Sequence, residues 1–150
     1  ICYPHTFHFI IGAMNPDKVK IRELAATADN IVLHEQVTFM APLMEACDVA
    51  ISAAGSTLYE LCATQTPTIT YILADNQIPG AEAFFARGVM QNCGDVRILG
   101  REKLAEKLLE EAEVLLKNYE SRVQISQNMQ TIVDGNGAAR MIKEVLSKKE

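Results

Sequence analysis

The fold is decided by two stretches, residues 48–60, which read DVAISAAGSTLYE, and residues 67–77, which read PTITYILADNQ. In the first, the apolar run at residues 49–52 predicts a strand, and small residues around Gly55 separate it from a helical pattern over residues 57–66. In the second, residues 68–73 predict another strand. Both strands are apolar or β-branched almost throughout, which is typical of parallel strands that are covered on both faces.

The turn at Gly55 predicts a binding site for an anion. Small residues let a ligand approach the backbone closely, and the first N–H groups of a helix have no partners within the helix. The helix dipole adds about half a positive charge at this end, so a diphosphate can be held there without Lys or Arg. Glu60 has a second interpretation, because Thr57 and Glu60 have the spacing of a capping box and would then only stabilise the helix start.

Length and composition exclude several classes of protein. The chain has 150 residues, of which 49% are hydrophobic and 22% charged, as expected for one globular domain. The net charge of −5 argues against a nucleic-acid partner. The four cysteines lie far apart without a C-x-x-C motif, which predicts neither a zinc site nor a redox pair and favours a reducing cytoplasm. No run approaches the roughly 20 apolar residues of a membrane span.

The remaining pattern alternates strands with helices as far as residue 94. Residues 7–12 and 31–34 predict strands, and residues 89–94 predict either a weak strand or a loop. The alternation indicates a doubly wound parallel sheet, followed by a largely helical C-terminal part. His5 and His8, three apart in a strand, would point to opposite faces, so they predict no shared metal. Ligands of such sheets bind at the carboxyl ends of the strands, where the Gly55 turn and residues 74–77 would meet.

Several stretches together resemble a known family. They are residues 39–48, residues 53–60, Pro67, the ADNQ of residues 74–77 and the VDGNGAAR of residues 133–140, in this order. This ordered set is similar to the C-terminal domain of B-type glycosyltransferases, which include the peptidoglycan N-acetylglucosaminyltransferase and the UDP-sugar hydrolase of pseudaminic acid biosynthesis. The resemblance covers most of the chain. It implies a Rossmann-like α/β domain, the C-terminal half of that fold, which holds the UDP part of a UDP-sugar.

The resemblance also implies which residues bind the nucleotide. Gly55 and Ser56, with Thr57 beside them, match the family's loop at the diphosphate. Glu60 matches the acid that hydrogen-bonds the ribose hydroxyls. The main chain around Val37 lies where the family reads the uracil edge.

Two further segments match the family's pattern. Asn76 and Gln77 match the polar pair that faces the sugar and the diphosphate. In residues 133–140 the glycines predict a tight turn between two helices, which Asp134 and Arg140 would close by hydrogen bonding. Arg140 is therefore interpreted as structural.

The chain departs from the family at its start. The family's domain opens with another strand and a glycine-rich turn that touches phosphate, and nothing before Phe7 supplies either. The chain also begins with Ile1 instead of Met. We therefore expect a fragment of a longer two-domain protein, in which residues 1–150 form a single nucleotide-sugar-binding domain with the first strand missing. The strands at residues 7–12 and 49–52 would then pair directly, or a neighbouring copy in a homodimer would fill the gap.

The family's catalytic base belongs to the N-terminal domain, so no catalytic residue is predicted here. The favoured function is a UDP-sugar-binding domain of an enzyme that transfers or hydrolyses the sugar, with no metal and no cofactor. One alternative is a non-catalytic binding or assembly module of the same fold. Another is a UDP-sugar epimerase-like domain, which is disfavoured because its sugar loop would carry more ionisable side chains than Asp75 alone.

Overall fold

The computed structural model describes residues 4–147, so that Cys2 lies outside the described residues. Contacts along the backbone divide the chain into two compact units, one within the first 40 residues and the other from Ala41 onward. Each unit is built from parallel strands joined by helices. The prediction of an α/β fold with parallel strands flanked by helices is thereby confirmed. That residues 1–150 form one domain stays a prediction.

The first unit is a single strand–helix–strand element. Its parts are β1 (Phe7–Ile11), α1 (Lys18–Ala26) and β2 (Ile31–Glu35). The two strands are parallel, with Phe7 opposite Ile31 and Ile11 opposite Glu35. Just before α1, the Asn15 side chain accepts a hydrogen bond of 2.8 Å from the N–H of Asp17, a turn typical of helix starts.

The second unit contains a three-stranded parallel sheet. Its strands are β3 (Ala50–Ala53), β4 (Thr68–Ile72) and β5 (Met90–Asp95), with β4 in the centre. Thr68 and Thr70 of β4 are fully buried. Their hydroxyls donate to the carbonyl oxygens of Thr66 at 2.7 Å and Ser52 at 3.1 Å, so the polar groups in this core are satisfied.

Within residues 41–147, seven α-helices surround this sheet or follow it. They are α2 (Ala41–Glu45), α3 (Thr57–Ala63), α4 (Ile78–Ala86), α5 (Val96–Leu99), α6 (Arg101–Lys117), α7 (Tyr119–Gln130) and α8 (Gly137–Ser147). Hydrophobic residues at helical spacing face the core, among them Leu58, Leu61 and Met129. Gly88 ends α4 with a φ of +64°, and the N–H groups of Gly88 and Val89 bond back to the last turn, as is typical of a glycine after a helix.

The segment predicted as a weak strand or a loop is the strand β5, and it contains a bulge. Thr70 lies opposite Asn92 and Ile72 opposite Asp95, so β5 has one more residue than β4 over this interval. Gly94 makes the bulge with a φ of +103°. A Cβ on Gly94 would lie 3.1 Å from Cδ1 of Leu99, so both conformation and space favour glycine here.

Strand pairing is described within each unit. In the first unit β1 is hydrogen-bonded to β2, and in the second unit β3 is hydrogen-bonded to β4. Each strand pairs with the next strand of its own βαβ element, where one short helical crossover brings the two strands side by side. That the first and third strands pair directly, or that a neighbouring copy supplies a strand, stays a prediction.

Hydrophobic residues at helical spacing over residues 39–47 predict a longer helix than the one observed. Only Ala41–Glu45 is helical, and Phe39 is 80% exposed. Pro42 suits the first turn of a helix but not its interior, so the helix cannot extend far before it.

The last helix, α8, leaves its apolar side uncovered. Met141, Ile142, Val145 and Leu146 are each more than half exposed. A shallow groove of this helix is lined by Ile142, Lys143 and Leu146 and includes none of the predicted site residues. Over residues 4–147, no helix combines the length and the apolar character that crossing a bilayer requires.

Candidate functional site

The candidate site is formed by two loops at one edge of the second sheet. β3 runs into the Gly55 turn, and β4 runs into the segment that contains Asp75, Asn76 and Gln77. β3 and β4 are parallel neighbours, with Ala53 opposite Tyr71 at their carboxyl ends. Both loops therefore leave the sheet at the same edge, where α/β proteins bind their ligands.

The Gly55 turn presents free backbone donors. The N–H of Gly55 bonds to the carbonyl oxygen of Ala53 at 2.7 Å, whereas the N–H groups of Ser56 and Thr57 have no acceptor within the described part of the chain. Apart from Gly55 and its two chain neighbours, no residue among 4–147 has a heavy atom within 4 Å of the position that a Cβ would take on Gly55. The turn is thus open to a ligand. With only seven residues, α3 is shorter than predicted.

The capping-box interpretation of Glu60 is wrong. The N-cap of α3 is Ser56, whose φ of −60° and ψ of −24° are already helical, and no side chain caps the helix. A capping box requires an extended N-cap residue whose side chain reaches the third helical N–H, and Thr57 is instead the first residue of the helix. Glu60 is exposed, and its carboxylate bonds to no group within residues 4–147. It is therefore free to accept hydrogen bonds from a ligand.

The second loop is held by one of the predicted site residues. Ala74 is extended, and Asp75–Gln77 forms a single 3₁₀ turn. Oε1 of Gln77 accepts a hydrogen bond of 2.8 Å from the N–H of Leu73. The NH₂ group of Gln77 stays available to a ligand. Asn76 is exposed beside it.

Sequence reasoning missed Arg97, which links this loop to the end of β5. One guanidinium nitrogen of Arg97 lies 2.8 Å from Oδ1 of Asp75. The second terminal nitrogen of the guanidinium lies 2.6 Å from Oδ2 of Asp95. Oδ1 of Asp95 also accepts a hydrogen bond of 2.8 Å from the backbone N–H of Arg97. Hydrogen bonds from Arg97 lower the pKa of Asp95, and Asp95 and then Asp75 raise that of Arg97. The Asp95-x-Arg97 spacing was visible in the sequence, but the Asp75 contact was not.

Val37 is not among the residues that the two loops bring together. It lies in the first unit, two residues after β2, and is half-buried. Its part in reading the uracil edge stays a prediction.

Histidines pair in a way that the sequence did not predict. Nδ1 of His8 on β1 lies 2.9 Å from Nε2 of His34 on β2, and one nitrogen donates to the other. Over the described residues, no three His, Cys, Asp or Glu side chains converge as metal ligands would.

The turn between α7 and α8 has the predicted geometry. Arg140 donates to the Asp134 carboxylate at 2.5 Å, and Gly135 has a φ of +73°. The hydrogen bond from Arg140 is the main reason that the pKa of Asp134 is lowered to about 2. The structural interpretation of this pair is confirmed.

Comparison with known families covers nearly the whole chain. The model of the glycosyltransferase family 28 C-terminal domain matches residues 4–144. The chain belongs to this family. The predicted kinship with the C-terminal domain of B-type glycosyltransferases is thereby confirmed, and with it the glycosyltransferase-like character of this sugar-nucleotide domain.

Two curated relatives have names that refer to a polysaccharide or to sugars. The chain is 26% identical over 133 residues, 89% of its length, to the spore coat polysaccharide biosynthesis protein SpsG of Bacillus subtilis. It is 47% identical over 49 residues, 33% of its length, to the pseudaminic acid cytidylyltransferase and UDP-2,4-diacetamido-2,4,6-trideoxy-β-L-altropyranose hydrolase of Helicobacter pylori. These matches span 38% and 10% of the two relatives.

Proposed function

We propose that this domain binds the nucleoside diphosphate part of a UDP-sugar at the carboxyl edge of β3 and β4. The observation that carries the proposal is the open turn at Gly55, which lies beside the Asp75–Gln77 loop in a member of a glycosyltransferase family. The free N–H groups of Ser56 and Thr57 suit phosphate oxygens.

The other predicted site residues bind the remaining parts of the ligand. Glu60, with both carboxylate oxygens available, accepts hydrogen bonds from the ribose hydroxyls. Asn76 and the free NH₂ of Gln77 face the sugar and the diphosphate. The domain's share of catalysis is to stabilise the charge that develops on the diphosphate when it leaves the sugar.

The enzyme of which this domain forms part transfers or hydrolyses the sugar of a UDP-sugar in surface-sugar biosynthesis. One curated relative is named for spore coat polysaccharide biosynthesis, and the other is named as a UDP-sugar hydrolase. In-line attack on the anomeric carbon, by water or by a sugar hydroxyl, releases UDP in either case. The cytoplasm, where UDP-sugars are made and thiols stay reduced, is the compartment we expect.

Titration calorimetry of the full-length protein with UDP tests the proposal, with ADP and GDP as controls. We expect binding in the millimolar range or tighter, with a preference for UDP. The absence of UDP binding, or equal binding of all three nucleotides, would overturn the proposal and favour a binding or assembly module.

A further inference from the structure

Arg97 is the one side chain, within residues 4–147, that joins the end of β5 to the loop after β4. Arg97 lies in the short helix α5, and its guanidinium contacts the carboxylates of both Asp75 and Asp95. Asp95 is buried, whereas the side chain of Asp75 is 87% exposed. The buried carboxylate therefore anchors the guanidinium, and the exposed one is held by it.

The anchor depends on the bulge in β5. The extra residue at Gly94 shifts the strand so that Asp95 lies opposite Ile72, the last residue of β4. Bulges commonly re-aim side chains near functional sites. Here the result is that Asp95 accepts both the backbone N–H and the side chain of Arg97. The planar guanidinium is thus fixed with its remaining nitrogen pointing to Asp75.

Asp75 opens the turn that carries the two residues predicted to face the sugar and the diphosphate. Asp75–Gln77 is one 3₁₀ turn, so an ion pair at its first residue restrains all three. The hydrogen bond between Gln77 and Leu73 closes the same loop from its other end. The loop is therefore restrained at both ends, once by its own side chain and once by Arg97.

We propose that Arg97 is a positioning residue for the sugar half of the nucleotide-sugar. It holds the Asp75–Gln77 loop in the conformation that presents Asn76 and the Gln77 NH₂ to the sugar and to the phosphate beside it, while the Gly55 turn supplies most of the affinity for the diphosphate. The inference rests on the proposed function and extends it. The carboxylate of Asp95 alone would neutralise the charge of Arg97. The second ion pair, with Asp75 in the neighbouring loop, is therefore not needed for charge balance, which favours a role in positioning that loop.

The test compares the affinities of the full-length protein for UDP and for UDP-sugars by calorimetry. The probes are UDP-N-acetylglucosamine and the UDP-diacetamido sugar named for the Helicobacter pylori relative. In Arg97→Met we expect UDP to bind within about twofold of the parent and the better UDP-sugar to bind about tenfold more weakly, the effect of losing roughly one hydrogen bond. The affinity of Arg97→Lys for the better UDP-sugar should fall nearly as far, because an ammonium group lacks the planar arrangement of donors that bridges two carboxylates.

Asp75→Asn should reproduce the loss, and the double variant with Arg97→Met should add little to it, since both changes break one ion pair. Arg140→Met removes a comparable exposed Arg–Asp pair outside the site and serves as the matched control. It should leave the ratio of the two affinities unchanged.

The outcomes separate the two proposals. If the parent binds no UDP, the proposed function itself fails. If the parent binds UDP and neither UDP-sugar binds more tightly, or if Arg97→Met weakens UDP and UDP-sugar equally, the inference about Arg97 is overturned while the proposed function stands. Additive effects of Asp75→Asn and Arg97→Met would overturn it as well.

Discussion

The replacement of Glu60 by Ala separates the binding role of this residue from a structural one. The side chain is exposed and caps no helix, so its removal should leave the Tm of the protein unchanged within error. If it accepts hydrogen bonds from the ribose, its loss should weaken UDP binding. Hydrogen bonds to charged groups contribute about 1.5–3 kcal/mol, and the exposure of Glu60 places the expected loss near the lower end. That is roughly a tenfold increase in Kd.

The assay is the calorimetric UDP titration, with a thermal unfolding curve for each variant. Glu106→Ala, which removes an exposed glutamate from α6, is the matched control and should change neither quantity. Glu60→Gln should retain part of the affinity, because the amide oxygen still accepts a hydrogen bond without the charge. Unchanged UDP affinity in a folded Glu60→Ala protein would refute the ribose role. A lower Tm with the same affinity would restore a purely structural role.

Three further changes test the fold. Gly94→Ala should lower the free energy of unfolding in urea by about 1–2 kcal/mol, since its φ is +103°; an equally stable variant would contradict the strain argument. Thr66→Val removes a buried 2.9 Å hydrogen bond to the Met44 carbonyl oxygen and should cost about 1–3 kcal/mol in the same assay, whereas a neutral effect would mean that the carbonyl finds another donor. Asp134 has its folded-state pKa lowered from 3.8 to about 2, so the contribution of its pair with Arg140 is present above pH 3.8 and lost as the pH falls through 2. An NMR titration of the Asp134 carboxyl should show a pKa of about 2, and Arg140→Met should raise this pKa back towards 3.8. An unchanged pKa in the variant would exclude the pair with Arg140 as the cause of the lowering.

The local features of the fold were predictable from the sequence because they depend on neighbouring residues. Apolar runs ended by small residues located β3 and β4, and Gly88 marked the end of α4 through its left-handed backbone. The pair of Asp134 and Arg140 was predictable for the same reason, since one turn holds both.

Features that depend on distant parts of the chain were not predictable. The contact between Asp75 and Arg97 exists because two neighbouring strands end together and a bulge re-aims the second one. The predicted capping box is absent because the backbone of Ser56 is already helical, which the spacing of Thr57 and Glu60 does not reveal.

The small sheet of the first unit has a consequence for local stability. Over residues 4–40 it contains two strands, and Ile11 and Ile31 are the buried hydrophobic residues of that described range. Two-stranded sheets are marginal on their own, whereas β4 has a strand on each side and four buried residues. Amide hydrogens in β1 and β2 should therefore exchange with solvent through low-energy local opening, and those in β4 only through opening of the whole second unit.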